Sequence, residues 1–384
     1  MEITNRVSKK FPLFSAFFLF TIVGCKTEPP KVVDETAKRN AIINSTITVF
    51  QKQMLKSQID SVFTKTNFNG SVSVHQNGKI LYEKINGFED FKEKKPLDSN
   101  SVFAIASLSK QFTSVLILQQ QENAKLNTDD FASKYLKEFA PKQFEKITIK
   151  ELLNHTSGIR DFADGLHSKP GEEFNYSNKG FYYLGKIIEK VSGKSYDENV
   201  SELFKKVGMN HSFTANNFDG KNFASAYLGN SKNFSEVPNM PKRLSVRAIS
   251  VPAGGILSTA NNLHRWNEAL YTGKIINPEL LKKFVEKSAE REHAILGKMG
   301  YGFGIMTNLG KTAAYFHTGY VKGAPSLIIY YPESKTSVVI LSNIADESRG
   351  KKAIFIPHKR LKEITDSLEN ATLSVRKNLQ KSAL

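Results

Sequence analysis

Three short groups of residues have the types and spacing that nucleophilic chemistry needs. Ser107-Leu108-Ser109-Lys110 puts a lysine three positions after a serine, which on a helix brings both side chains to one face about one turn apart. A neutral amine at that distance can take the hydroxyl proton and make Ser107 a nucleophile. If Ser107 opens the helix, an unpaired backbone N–H is also available to a developing oxyanion. Taken alone the pattern is cheap, because an N-terminal serine and a solvated lysine produce it by chance.

Tyr176-Ser177-Asn178 is the second group. A tyrosine beside Lys110 can help take the Ser107 proton and later return one to a leaving group. Asn178 can donate from its amide nitrogen to a substrate carbonyl while its oxygen accepts from Lys110. Pro170-Gly171 before it and Gly180 after it predict that the tripeptide lies in a loop, and a surface turn is its ordinary reading. The third group is His317-Thr318-Gly319 at the end of an expected strand. Gly319 permits a close backbone approach, and the Tyr320 N–H can complete an oxyanion hole with that of Ser107. His317 has two candidate roles, holding a substrate carboxylate or supporting a proton network, beside a purely structural one.

These residues need a scaffold, and the periodicity supplies one. Ile43, Ile47, Phe50, Met54, Ile59, Val62 and Phe63 fall at helical spacing. Val72 and Val74, then Asn77-Gly78, then Ile80 and Tyr82 predict a β-hairpin around a turn-forming dipeptide. Phe103 to Leu118 reads as a short entry into a helix, with further helices expected over Asp130–Phe139 and Tyr182–Val191. Strand patterns return at Gly302–Met306, Ala314–His317, Ser326–Tyr331 and Thr336–Leu341, and a helix from Lys359 to Leu368 is expected after Pro357. A hairpin alone makes a poor core, so the early and late strands belong most simply to one sheet with the helical middle inserted between them. Such an insertion leaves a cleft between lobes, where small molecules bind.

The first residues carry processing information. Arg6, Lys9 and Lys10 precede an apolar stretch from Phe11 to Val23, followed by Gly24 and Cys25. That order predicts a signal peptide over 1–24, because the run is short for a membrane-spanning helix. Ile22-Val23-Gly24-Cys25 is similar to a bacterial lipoprotein signal, so Cys25 is the expected lipidation site and the membrane the expected anchor, on the periplasmic or outer side. Residues 25–40, with Pro29-Pro30, then read as the lipidated N-terminus and a linker.

Composition excludes several classes. With 384 residues, 40% hydrophobic and 24% charged, the chain is neither disordered nor a disulfide miniature, and its one Cys excludes a cysteine-cluster metal site. The formal charge of +17 is dispersed, without a basic arm or aromatic-basic repeat, which argues against nucleic acid and fits an anionic membrane or cell-wall polymer. Eight scattered His with no His-Glu-x-x-His give no reason to expect a metal or any other cofactor.

In chain order the three groups resemble the signature of the serine β-lactamase and penicillin-binding-protein superfamily, nearest its class C β-lactamase and D-alanyl-D-alanine carboxypeptidase branch. Ser107 with Lys110, Tyr176 with Asn178, and His317-Thr318-Gly319 match that branch's three elements. The likeness extends to Phe103-Ala104-Ile105-Ala106, Gln111-Phe112-Thr113, Leu152 to Gly158, Gly254 to Thr259 and Leu341-Ser342-Asn343. It implies an α/β, β-lactamase/transpeptidase-like fold: an antiparallel sheet flanked by helices, with an inserted and mostly helical lobe. The hydrolase domain would span 41–345, the insertion about 120–250, and a solvated helical segment 346–384. The resemblance further implies an acyl-enzyme on Ser107, activation by Lys110 and Tyr176, an oxyanion held by the N–H groups of Ser107 and Tyr320, and a supporting loop position for His155. His317 stands where typical class C β-lactamases have lysine, which favours a D-amino-acid-containing peptide or a small ester as substrate over an antibiotic. A true β-lactamase and a non-catalytic penicillin-binding or regulatory protein remain the alternatives.

Overall fold

The computed structural model describes residues 35–384 except 231, 239, 246–248, 311, 349 and 382–384. The expected signal peptide and Cys25 lie outside the described residues. The chain divides into a short unit, Met1–Ser45, and a large one, Thr46–Leu384. In the short unit, residues 35–45 are helical and almost wholly exposed. Helix α1 is Glu35–Thr66, so the expected linker gives way to helix before residue 40. Ala37, Lys38, Arg39 and Ala41 favour helix, and the prolines that would stop it end at Pro30.

In the large unit α1 turns Ile47, Gln51, Leu55, Ile59, Val62 and Phe63 inward, a spacing of three or four residues that makes one buried stripe. Eight strands form the central sheet: β1 Gly70–Gln76, β2 Lys79–Asn86, β3 Ala289–His293, β4 Gly297–Tyr301, β5 Met306–Asn308, β6 Ala314–Val321, β7 Ala324–Tyr331 and β8 Thr336–Ser342. Their order is β3-β4-β5-β6-β7-β8-β1-β2, with every neighbouring pair antiparallel. The Asn77-Gly78 turn has φ of 50° and 73°, the left-handed conformation that a two-residue hairpin of this twist requires. Early and late strands meet where β1 pairs with β8, from Gly70 opposite Ser342 to Gln76 opposite Thr336.

Both faces of this sheet are covered. Val72, Val74, Leu327, Ile329, Val338 and Ile340 pack with Leu55 and Ile59 of α1, while Ile328, Val339 and Leu341 join the core of the helical lobe. Burial on both faces explains why β7 and β8 read as continuous apolar runs instead of alternating ones. Each fully buried Leu or Ile here is worth about 1.5–3 kcal/mol.

Helix α2 is Ser109–Glu122 and α3 is Asn178–Ser192. Three expectations change. Asp130–Phe139 forms two 3-10 turns, Ala132–Lys134 and Lys137–Phe139, because Ala132 N–H bonds to Ile147 O and Ile149 N–H to Asp130 O, which commits the backbone to a neighbouring segment. Of the expected strand Gly302–Met306, residues 302–305 form a bend between β4 and β5, closed by Gly302 N–H to Ile305 O, and only Met306 is in a strand. Gly304 has φ of 69°, and a Cβ there would stand 2.5 Å from Ser114 Oγ on α2. The final helix, α4, runs Ile356–Lys381 and exceeds the expected Lys359–Leu368 at both ends. It is not a wholly solvated surface: Leu361 and Ile364, three residues apart, are buried in the same cluster as α1. Among the described residues no helix is long and apolar enough to cross a membrane.

Candidate active site

Ser107 stands in a 3-10 turn, Ala106–Leu108, that feeds directly into α2. Ala106 holds φ of 50°, a conformation that a larger or branched side chain would resist. Ser109 fixes the turn by accepting the Ile256 N–H at 3.0 Å. One turn on, Lys110 is fully buried, and its Nζ reaches Ser107 Oγ at 3.3 Å, Asn178 Oδ1 at 2.8 Å and the Ala253 carbonyl at 2.7 Å. The last two can only accept. A neutral amine has two N–H bonds for them and one lone pair left for the Ser107 hydroxyl. Burial lowers the Lys110 pKa toward that neutral form, with Tyr176 acting in the opposite direction. Ala253 comes within reach because Gly185 of α3 lacks a Cβ, which would otherwise stand 2.3 Å from Pro252 Cγ.

Tyr176 and Ser177 lie in irregular backbone as expected, and only Asn178 departs from that expectation by opening a helix. Ser177 caps α3, accepting Gly180 N–H at 3.0 Å, and Asn178 is its first residue. The Tyr176 ring centroid lies 4.8 Å from Lys110 Nζ and 4.6 Å from the Arg291 guanidinium carbon. The His155 ring packs on Tyr176 at 4.3 Å, and His155 Nδ1 accepts the Ser177 N–H at 3.1 Å. His155 is held well below its ordinary pKa by burial, then by Lys110 and Arg291.

Asp161 organises this corner. One carboxylate oxygen accepts Ser177 Oγ–H at 2.7 Å and Lys179 N–H at 2.9 Å. The other accepts from the backbone N–H of Asn178 at 3.0 Å and from its Nδ2 at 3.2 Å, which leaves Asn178 Oδ1 facing Lys110.

The third wall is β6. β5 pairs with β6 only from Ala314 to Phe316, so the edge from His317 to Val321 has no strand partner there and lies against the Ser107 turn. A Cβ on Gly319 would meet Ile105 O and Ser326 Oγ, both at 2.3 Å. Tyr320 donates its phenol proton to Glu347 and accepts Gly323 N–H at 3.3 Å. His317 is fully buried; its Nδ1 lies 2.6 Å from the Thr318 carbonyl and its Nε2 3.0 Å from Tyr301 Oη. A carbonyl accepts only, so Nδ1 carries the proton and Nε2 accepts from Tyr301. Burial, Arg291 and Lys110 hold His317 well below its ordinary pKa, which keeps this neutral form. Neither nitrogen is free for a substrate carboxylate, so of the roles considered for His317 only the internal network has atoms to serve it.

Ser107, Lys110, Tyr176, Asn178 and the 317–320 strand edge therefore converge from the turn into α2, the entry to α3 and β6. Asp161, Arg291, Tyr301 and the Ala253 carbonyl join them without having been singled out in the sequence. A cavity of about 600 Å³ opens beside the cluster, with Asp161, Asn178, Tyr182, Tyr196, Val251 and Pro252 among its walls. No group of three or more His, Cys, Asp or Glu among the described residues is placed to hold a metal ion.

Comparison with known proteins reaches the same body of the chain. The family profile described as Beta-lactamase matches residues 59–358. Penicillin-binding protein 4* of Bacillus subtilis (strain 168) is 27% identical over 341 residues, covering 79% of this chain and 74% of that protein. Protein flp of Staphylococcus aureus (strain NCTC 8325 / PS 47) is 27% identical over 358 residues, covering 84% and 70%. The octameric penicillin-binding protein homologue from Pyrococcus abyssi superposes with a TM-score of 0.67 at 27% identity, over 78% of this chain and 75% of that one. The D-amino acid amidase from Ochrobactrum anthropi SV3 shares the fold, with a TM-score of 0.67 at 20% identity over 83% and 99%. The matched span takes in the Ser107 turn, the start of α3 and the β6 edge together, and by that match the chain belongs to the beta-lactamase family.

Proposed function

We propose that this member of the family is an exported serine hydrolase that attacks an amide or ester through an acyl-enzyme on Ser107, with a D-amino-acid-containing peptide as its substrate class. The observation that carries the reading is Lys110, a buried amine whose two acceptor-only partners leave one position for Ser107 Oγ. The Ser107 proton passes to the Lys110 lone pair as Oγ bonds to the substrate carbonyl carbon. The negative charge that forms on the carbonyl oxygen meets the backbone N–H groups of Ser107 and Tyr320. Collapse breaks the bond to the leaving group, which takes a proton relayed from Lys110 through Tyr176. Water then attacks the ester, returning the proton to Ser107 and releasing the acid. Asn178 holds the substrate amide, and Thr318 and Gly319 align it along the unpaired edge of β6. His317 supports that edge through Tyr301.

The peptide assignment draws support from the penicillin-binding relatives at 27% identity. The basic and apolar run ending at Cys25 supports export and a lipid anchor, which would bring the enzyme to cell-wall peptides.

Intact-protein mass tests the reading. Residues 26–384 are incubated with benzylpenicillin or a fluorophosphonate, with Ser107→Ala as control. A serine-dependent adduct with both is the expected result, and slow decay of the penicilloyl form separates a peptidase-like enzyme from a β-lactamase. Labelling by fluorophosphonate alone points to an esterase. No adduct with either reagent would return the chain to the non-catalytic alternative.

A further inference from the structure

Strand β3 lies at the far edge of the sheet and alternates strictly, with Ala289, Arg291 and His293 half-buried and Glu290 and Glu292 exposed. Arg291 reaches Tyr176, and His293, two residues on and on the same face, reaches Thr318 of β6. The short span of β5 opens the way, since it leaves β6 uncovered beyond Phe316.

The hydrogen bonds of His293 fix its proton. The backbone N–H groups of Ile295 and Leu296 both point at Nδ1, each at 3.2 Å. An atom that accepts two N–H bonds carries no proton, so the single proton of the neutral ring is on Nε2. Nε2 is 3.2 Å from Thr318 Oγ1 and must donate to it. A hydroxyl whose lone pair receives that bond has its own proton directed elsewhere. Thr318 is 6% exposed, at the strand edge that faces the Ser107 turn. Burial and the charge of Arg291 hold the His293 pKa down to about 4, so the donor state persists across neutral pH.

We infer that His293 is a positioning residue that acts through Thr318, holding its hydroxyl so that the proton is presented to the bound substrate. The inference rests on the reading of Thr318 as a substrate contact. It assigns a role to the edge strand, which bears none of the three sequence groups, and it makes β3 a determinant of which polar groups of a substrate are accepted.

Two substitutions divide the ring's two jobs. His293→Asn places an oxygen near the position of Nδ1, keeping the acceptor for Ile295 and Leu296 while losing the reach of Nε2. His293→Gln places an amide nitrogen near Nε2 and keeps a donor for Thr318. Rates are read as Ser107 acylation by benzylpenicillin and hydrolysis of p-nitrophenyl acetate, beside thermal unfolding of each variant. His293→Asn is expected to keep its melting temperature and lose about tenfold in rate, His293→Gln to retain most of it, and His293→Asn to have no further effect in a Thr318→Val background. Additive losses in the two backgrounds overturn the inference, as does an unchanged rate in His293→Asn. A Thr318→Val enzyme of full activity removes the substrate contact and the inference together, yet leaves the acyl-enzyme reading intact if Ser107→Ala is dead. Long-range ¹H–¹⁵N NMR of the unaltered protein at neutral pH tests the premise without any substrate. The Nε2–H tautomer is expected for His293, and an Nδ1–H tautomer or an imidazolium overturns the proposal.

Discussion

Asp161 accepts both the backbone N–H of Asn178, at 3.0 Å, and its side-chain Nδ2, at 3.2 Å, and so decides which end of the Asn178 amide meets Lys110. An asparagine turned the other way would set two donors, its NH₂ and the lysine amine, against each other. The carboxylate also caps α3, where the helix dipole favours negative charge.

Asp161→Ala removes the cap and the orienting acceptor together. We expect a loss of about 1–2 kcal/mol in unfolding free energy from the cap and a drop of at least about tenfold in kcat/KM. Asp161→Asn keeps the volume and can accept through one oxygen only, so it should recover part of the stability and little of the rate. Chemical denaturation and ester hydrolysis on the three proteins check this. Equal recovery of both quantities would show that Asp161 acts on the helix alone.

The contrast between Asp161 and Ser107 shows what the sequence carries. Ser107 and Lys110 are legible because a helix turns a spacing of three into proximity, and the Asn77-Gly78 hairpin because its turn demands left-handed residues. Asp161 meets Asn178 across 17 residues that include a loop, and no local period encodes that meeting. Ala253 contributes only its carbonyl, which any residue has. Arg291 and His293 sit on an edge strand in a polar run, Ala-Glu-Arg-Glu-His, whose two-residue alternation has no apolar face to mark it as a strand. The bend at 302–305 carried its own signal in Gly302 and Gly304, since glycines inside a strand pattern mark a break. Asp130–Phe139 has no such local mark, because the segment that commits its backbone to 3-10 turns lies outside it, near Ile147.

Burial lowers the Lys110 pKa from its ordinary 10.5, and the sign of the consequence follows. Between the lowered value and 10.5 the unfolded chain holds the proton that the folded protein has lost, so stability rises with pH across that window. The rate of Ser107 acylation should rise as Lys110 becomes neutral and then level off. Lys110→Met should abolish acylation and flatten the rise in stability attributable to this group. Denaturation series from neutral pH to about 10.5 on both proteins provide the comparison.

The buried histidines act at the other end of the scale. His155, His264 and His317 are buried and held well below 6.5, in each case first by burial. Above 6.5 both folded and unfolded forms are neutral at these sites and the full contribution is present. As pH falls below 6.5 the unfolded chain binds protons that the folded one refuses, and stability is lost progressively toward the lowered values. Unfolding free energy should therefore fall progressively as pH drops below 6.5. Replacing His264, which bonds Ser73 and Ser337 hydroxyls away from the candidate site, by Gln should lessen that acid slope while leaving kcat unchanged at neutral pH.

Gly319→Ala tests how closely β6 and the Ser107 turn depend on each other. The added Cβ would stand 2.3 Å from both Ile105 O and Ser326 Oγ, far inside contact distance. These obstacles differ in kind. Ser326 Oγ can rotate away at the cost of its 2.9 Å bond to Ile105 O, whereas Ile105 O is backbone two residues before Ser107 and cannot yield without moving the turn. Overpacking of this sort costs about 1–3 kcal/mol, and a displacement of about 1 Å at a reacting group is worth about a hundredfold in rate. Adding Ser326→Gly to Gly319→Ala removes the mobile obstacle and leaves the fixed one. The double variant should regain much of the melting temperature and remain at least about tenfold slower in Ser107 acylation. Recovery of both together would place the whole conflict at Ser326 and free the Ser107 turn from any dependence on Gly319.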